Sequence, residues 1–194
     1  MLKNKAFTLI EIMVVVAIIG VMAAMLVPQL AKAIERSKVS RTTSELTTIR
    51  NAENAYFTDV GSYPPCVWEY GRPWGADVSL VDKSGITGSH SSSWNGPYLQ
   101  NWPVRTAWGG LVGCGATGAY YVHGPTCWIN RDGLGGCNDN WVHMNPYCAQ
   151  YPPSMGIEID KAMDDGNSGA GVLRLTGGWP EYVYYYVGEG TRSW

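Results

Sequence analysis

Phenylalanine is nearly missing from this chain: 194 residues carry only 2 Phe against 9 Trp and 12 Tyr. Rings with a polar handle suit half-buried surfaces and interfaces better than a dry core. Charge is scarce too. Asp, Glu, Lys and Arg make up 15% of the residues, with a net charge of −2. Lys and Arg are scattered rather than striped, which removes the electrostatic footprint of a nucleic-acid binder; no nucleic-acid partner is expected. The 5 cysteines form no Cys-x-x-Cys pair, so neither a zinc knuckle nor a thioredoxin-type motif is expected. A Cys3His set of Cys127, Cys137, His143 and Cys148 would have irregular spacing for zinc. There is no phosphate-cradling glycine loop, no Gly-x-Ser-x-Gly elbow and no zinc-protease helix, and His90, His123 and His143 stand far apart in sequence. These gaps point away from an enzyme.

What is present begins at the amino terminus, "MLKNKAFTLIEIMVVVAIIGVMAAMLVPQ". From Phe7 to Val27 the only polar side chains are Thr8 and Glu11, and a helix of that length spans about 30 Å, enough to cross a bilayer. Lys3 and Lys5 precede it, so the positive-inside rule puts residues 1–6 in the cytoplasm and the rest of the chain outside. A carboxylate inside such a segment costs on the order of a few kcal/mol unless a cation offsets it, and Glu11 therefore needs a partner. From Gln29 onward Leu30, Ala33, Ile34, Val39, Leu46, Ile49 and Tyr56 recur at roughly helical spacing among polar residues, which predicts an amphipathic continuation. Pro28 removes one backbone donor and is expected to kink or loosen the helix. Asp59, Gly61 and the Tyr-Pro-Pro that follows predict its end.

The stretch "AFTLIEIMVVVAIIGVMAAMLVPQ" resembles the amino terminus of type IV prepilins and of the pseudopilins of type II secretion. In that family a basic leader is cut off immediately before a Phe, which becomes the methylated amino terminus, and a Glu stands five residues into the mature chain. Phe7, Glu11 and Pro28 match, whereas the usual Gly before the cut is Ala6 here. The resemblance implies cleavage of leader 1–6 by prepilin peptidase. It implies a long helix over 7–59 whose apolar half, 7–27, sits in the inner membrane before assembly, and a globular domain over 60–194. It also implies an inner-membrane assembly platform as partner, and a homo-oligomeric helical filament in the periplasm or on the cell surface. The expected fold class is α+β: a long amino-terminal α-helix, half apolar and half amphipathic, packed on a small antiparallel β-sheet. The new α-amino group at Phe7 would be a cation, and a Glu11 carboxylate meeting the Phe7 ammonium of a neighbouring subunit would offset two buried charges.

Residues 61–118 are rich in Gly, Pro, Ser and Trp with little periodicity, and read as a long loop region carrying short elements. Within them and just beyond, "WNGPYL" (94–99), "WP", "AWGG" and "GAYYVHG" (118–124) occur in the order found in major pseudopilins, where a glycine-rich calcium loop follows. Here that place is taken by "RDGLGGCNDNW" (131–141). Asp132, Asp139 and Asn140 correspond to the family's side-chain ligands, and calcium takes six to eight oxygens from such a cage. Asn140 stands where Asp is commoner, Cys137 interrupts the loop, and a plain turn needs the same Gly, Asn and Asp.

Export predicts oxidised cysteines. Among the two-bridge arrangements of five, the sequence-adjacent one pairs Cys114 with Cys127 and Cys137 with Cys148 and leaves Cys66 over; short loops of this size contribute roughly 3 kcal/mol each. Further on, "SMGIEIDKAMDDGNSGAGVLRLTGGWPEYVYYYVGEG" predicts a helix ending at Asp165 with Gly166 as its cap, a strand near 171–176 and another near 181–187. Asp164 and Asp165 oppose the dipole at that helix end, which makes them a second candidate for a metal or for a salt link to Arg174; a solvated turn is the simpler reading. Two functions fit: a filament subunit, or a tip adhesin whose exposed Trp and Tyr bind a surface.

Overall fold

A computed structural model describes residues 7–64, 78–83, 86, 90–103, 105–109, 120–123, 139–144, 151–152, 154–176 and 182–189. Helix α1 runs Leu9–Val60 with Pro28 inside it, and the helical assignment continues across the proline. Two short helices follow, α2 (Val78–Val81) and α3 (His90–Ser93), then strands β1 (Tyr120–His123) and β2 (Asp139–Met144). Helix α4 (Ser154–Met163) and strands β3 (Leu173–Thr176) and β4 (Tyr182–Glu189) come next. Contacts divide the chain into two units, residues 1–38 and 39–194. The α+β architecture with an antiparallel sheet is the one the sequence predicts, and α4 stops two residues short of Asp165.

In the second unit the sheet is antiparallel throughout, in the order β1-β2-β4-β3. Alternation along β4 sends Val183, Tyr185 and Val187 into the main core, joined by Val142 and Met144 of β2 and Leu173 of β3. The other face carries Trp141 and His143 opposite Tyr186 and Tyr184, and Trp141 packs edge-on to Tyr186 at 5.4 Å. Period-2 alternation thus gives the sheet one aliphatic and one aromatic face. From Val39 onward, α1 contributes Thr42, Leu46, Ile49, Ala52, Glu53 and Tyr56 as buried residues, spaced three and four apart, as one face of a helix requires. Leu46, Ile49 and Tyr56 are 0% exposed, and each such side chain contributes roughly 1.5–3 kcal/mol by leaving water.

The "WNGPYL" segment is tied to the end of α1. Tyr98 donates its hydroxyl to Asp59 Oδ2 at 2.8 Å and accepts from the Asn95 amide, its ring stands edge-on to Tyr56, and the Gly96-Pro97 peptide is cis. Leu80 O receives both the Tyr98 and Leu99 amides at 2.9 Å, and Trp94 Nε1 donates to Ser79 O. Burial, ahead of the negative Asp59, raises the Tyr98 pKa and keeps its phenol a donor. These aromatics order a loop otherwise poor in repetitive backbone bonding.

At the far end of β4, Gly188 meets the tip of Tyr63, which donates to Asn54 Oδ1 of α1 at 3.2 Å. A Cβ on Gly188 would stand 2.0 Å from that hydroxyl, and Tyr63 cannot swing aside because it is 4% exposed and stacked on Phe57 at 4.6 Å. Gly188→Ala is expected to cost about 1–3 kcal/mol in urea unfolding, and adding Tyr63→Phe, which deletes the clashing oxygen, should recover part of that loss. Additive costs for the two substitutions would show that the close approach does not constrain the strand.

Candidate functional site

The first unit holds the predicted assembly residues. Thr8 stands just before the first turn of α1, and Glu11 lies in that turn. Glu11 Oε2 accepts from the Thr8 amide at 2.8 Å and from the Thr8 hydroxyl at 2.7 Å, while the Glu11 amide points back at Thr8 Oγ1 at 3.4 Å. This is a reciprocal capping box, Thr-x-x-Glu, in which each residue satisfies a backbone donor that the helix start leaves open. The sequence signal was "TLIE" itself, and reading Glu11 only as an intramembrane charge passes over Thr8. Phe7 is 81% exposed, and Ile10, Ile12, Met13, Val14 and Ile18 are all more than half exposed. The apolar residues continue uncovered to Leu30 and Ile34, and this end of α1 is long and apolar enough to cross a membrane.

In the second unit, the residues read as calcium ligands separate by environment. Asp132 lies outside the described residues, as do all five cysteines and with them both predicted disulfides. Asp139 and Asn140 open strand β2, at 5% and 0% exposure. Asn140 Nδ2 donates to Gly188 O of β4 at 3.2 Å, and the ladder shifts register between Asn140 and Trp141, the mark of a β-bulge.

The α4 end draws three carboxylates together. Ligand atoms of Asp160, Asp164 and Asp165 lie within 4.8 Å of one another. Asp160 is 0% exposed, and neither of its oxygens has a hydrogen-bond partner. Asp164 Oδ2 receives the Val172 and Leu173 amides, and Asp165 Oδ1 receives the Asn167 amide at 2.7 Å. Arg174 donates to the carbonyls of Gly169 and Gly171. Burial first, and then the Asp164 and Asp165 charges, push the Asp160 carboxyl above the usual aspartate value of 3.8. Asp164 and Asp165 were legible as a pair in the sequence. Asp160, four residues before Asp164, was the member missed: the Asp164 amide bonds back to the Asp160 carbonyl as α4 ends, and its signal is the Asp-x-x-x-Asp-Asp spacing.

A shallow groove is lined by Ser40, Thr43, Ser44, Thr47, Thr48 and Tyr185, among others. The Thr43, Thr47 and Thr48 hydroxyls donate to carbonyls of their own helix, so they are occupied in backbone bonds.

Comparison with known proteins bears on the amino-terminal motif first. Residues 1–27 match the family described as "Prokaryotic N-terminal methylation motif", and residues 33–118 match "PilW, C-terminal". The chain is 30% identical over 107 residues to type II secretion system core protein G of Aeromonas hydrophila, covering 55% of this chain and 69% of that protein. It belongs to the type IV pilin and pseudopilin family. Within the family it is also 40% identical over 89 residues to type IV major fimbrial protein FimA of Dichelobacter nodosus, covering 45% of this chain and 56% of that one. With type IV major pilin protein PilA of Myxococcus xanthus (strain DK1622) it shares 39% identity over 69 residues, 36% of this chain and 31% of that one. The chain thus spans little more than half, or about a third, of the length of these two pilins. No solved structure matches it. Both pilin and pseudopilin relatives align, so the likeness does not separate the two branches.

A carboxyl whose pKa is raised by folding binds its proton more tightly in the folded state, so the stability it contributes is present at low pH and lost as pH rises through its folded pKa. In chelator, the difference in unfolding midpoint between Asp160→Asn and the parent chain is therefore expected to be smallest near pH 4 and to grow in favour of the variant toward pH 7. A difference that stays flat across that window would show that the Asp160 charge is not burdened by its surroundings.

Proposed function

We propose that the chain is a structural subunit that polymerises into a type IV pilus-like filament, in a pilus or a secretion pseudopilus, after prepilin peptidase cuts between Ala6 and Phe7. The observation that carries this reading is the uncovered apolar run from Phe7 to Ile34. Apolar surface on this scale requires lipid or other helices, and the same segment meets both needs in turn: the inner membrane before assembly and neighbouring subunits afterwards. Pro28, inside that run, is the point where its backbone bonding is weakest.

Glu11 has two roles in this scheme. Its carboxylate caps its own helix through Thr8, and it receives the Phe7 ammonium of a neighbour, which sets the register of the polymer. A tip adhesin built on exposed rings is less well supported. Among the side chains described, every Trp and Tyr beyond residue 55 is buried or half-buried. For the 131–140 segment, the Asn140 amide bond to Gly188 helps close β2 on β4, a role that Asn140 can hold alongside service with Asp132 and Asp139 as a calcium ligand.

Filaments sheared from cells should yield a subunit whose amino terminus is N-methylated Phe7; a mature chain that begins at Met1 would sink the scheme. Thr8→Ala and Glu11→Ala should separate the two roles of Glu11. Loss of the cap costs about 1 kcal/mol of local helix stability, so Thr8→Ala should lower filament yield modestly. Glu11→Ala should abolish most of the yield while membrane-fraction protein stays level. Equal yields from the two variants would assign Glu11 to capping alone.

A further inference from the structure

We propose that Asp160, Asp164 and Asp165 form a calcium site that clamps the segment leading into β3 to the end of α4. The decisive observation is Asp160, a fully buried carboxylate whose two oxygens have no hydrogen-bond partner and face two further carboxylates. Among the described residues no Lys, Arg or His forms an ion pair with any of the three; Lys161, the nearest basic residue in sequence, is paired with Glu158. Buried charges are expected to be paired or to hold a metal, and here the neighbours are of like sign.

The geometry fits a cation. With ligand atoms no more than 4.8 Å apart, one point stands within about 2.8 Å of all three, near the roughly 2.3–2.6 Å at which calcium takes oxygen. The backbone has already claimed Oδ2 of Asp164 and Oδ1 of Asp165, which orients both carboxylates and leaves one oxygen on each, in addition to the pair on Asp160. Gly171 makes this arrangement possible: it has a positive φ of 75°, and a Cβ there would stand 1.8 Å from Asp164 Oδ2. All the side-chain ligands are hard oxygens, and Asp165 is solvent-exposed, so water can complete the shell. That donor set suits calcium. Magnesium demands a tighter octahedron and sheds water reluctantly.

The proposal uses none of Asp132, Asp139 and Asn140 as ligands, and the test separates the two sets. The full chain in detergent micelles is melted in chelator, in about 1 mM calcium and in about 1 mM magnesium. Calcium should raise the melting temperature by about 5–10 °C, with a much smaller effect of magnesium. Asp160→Asn should abolish the calcium shift and melt at or above the parent chain in chelator, because it removes a repelled buried charge. Asp132→Asn should keep the shift. Should Asp160→Asn fail to fold, Asp165→Asn, a change at an exposed position, decides in its place by losing the shift. Three results would overturn the proposal: no calcium shift in the parent chain, a full shift in Asp160→Asn or in its stand-in, or a shift lost only in Asp132→Asn.

Discussion

The second unit depends on one stripe of α1. Leu46, Ile49 and Tyr56, all fully buried, belong to a single core with the aliphatic face of the sheet, Val142, Met144, Val183 and Val187. Polar bonds then set orientation across that core. Arg50 donates to the Tyr185 hydroxyl at 2.8 Å, Tyr98 reaches Asp59, and Tyr63 reaches Asn54 beside Gly188. Each bond is worth about 1 kcal/mol, so packing supplies the bulk of the stability, and the bonds select which packing forms.

The aromatic excess follows from the same economy of repetitive structure. Where the chain has little regular backbone bonding, Trp94, Tyr98 and Trp108 pack against the core with part of each ring still accessible. A phenol or indole can be half-buried and keep its hydrogen bond, as Tyr98 and Trp94 do; Phe could not. Tyr182, Tyr184 and Tyr186 line the second face of the sheet beside Trp141 and His143, and burial, ahead of Tyr182, raises the Tyr184 pKa. Among the described residues, the tyrosines of β4 are buried or half-buried against this sheet.

Calcium reached the sequence reading through a glycine-rich loop, of which Asp139 and Asn140 are among the described residues and Asp132 is not, and a second group of carboxylates gathers at the end of α4. Asp139 and Asn140 are drawn into β2 by pairing with Glu189 and Gly188, residues some fifty positions away that local composition does not foretell. Asp164 and Asp165 were visible as an acidic pair at a helix end. Their meaning changes once Asp160 joins them, because burial makes its charge costly in a way that an exposed pair is not.

The sequence by itself determined the amino-terminal segment and the family. An uninterrupted apolar run with one acid at a set distance from a Phe is a local pattern, and so are the helical spacing of Leu46, Ile49 and Tyr56 and the capping signal of Thr8 and Glu11. Helix periodicity and capping depend on residues within a turn or two, which is why they are legible in one dimension. Tertiary structure alone decided the bulge at Asn140 and Trp141, the approach of Gly188 to Tyr63, and the isolation of the Asp160 carboxylate. Each of these rests on which distant surface removes water from a group. That choice is made by the packing of the whole core, and the chain does not write it beside the residue it affects.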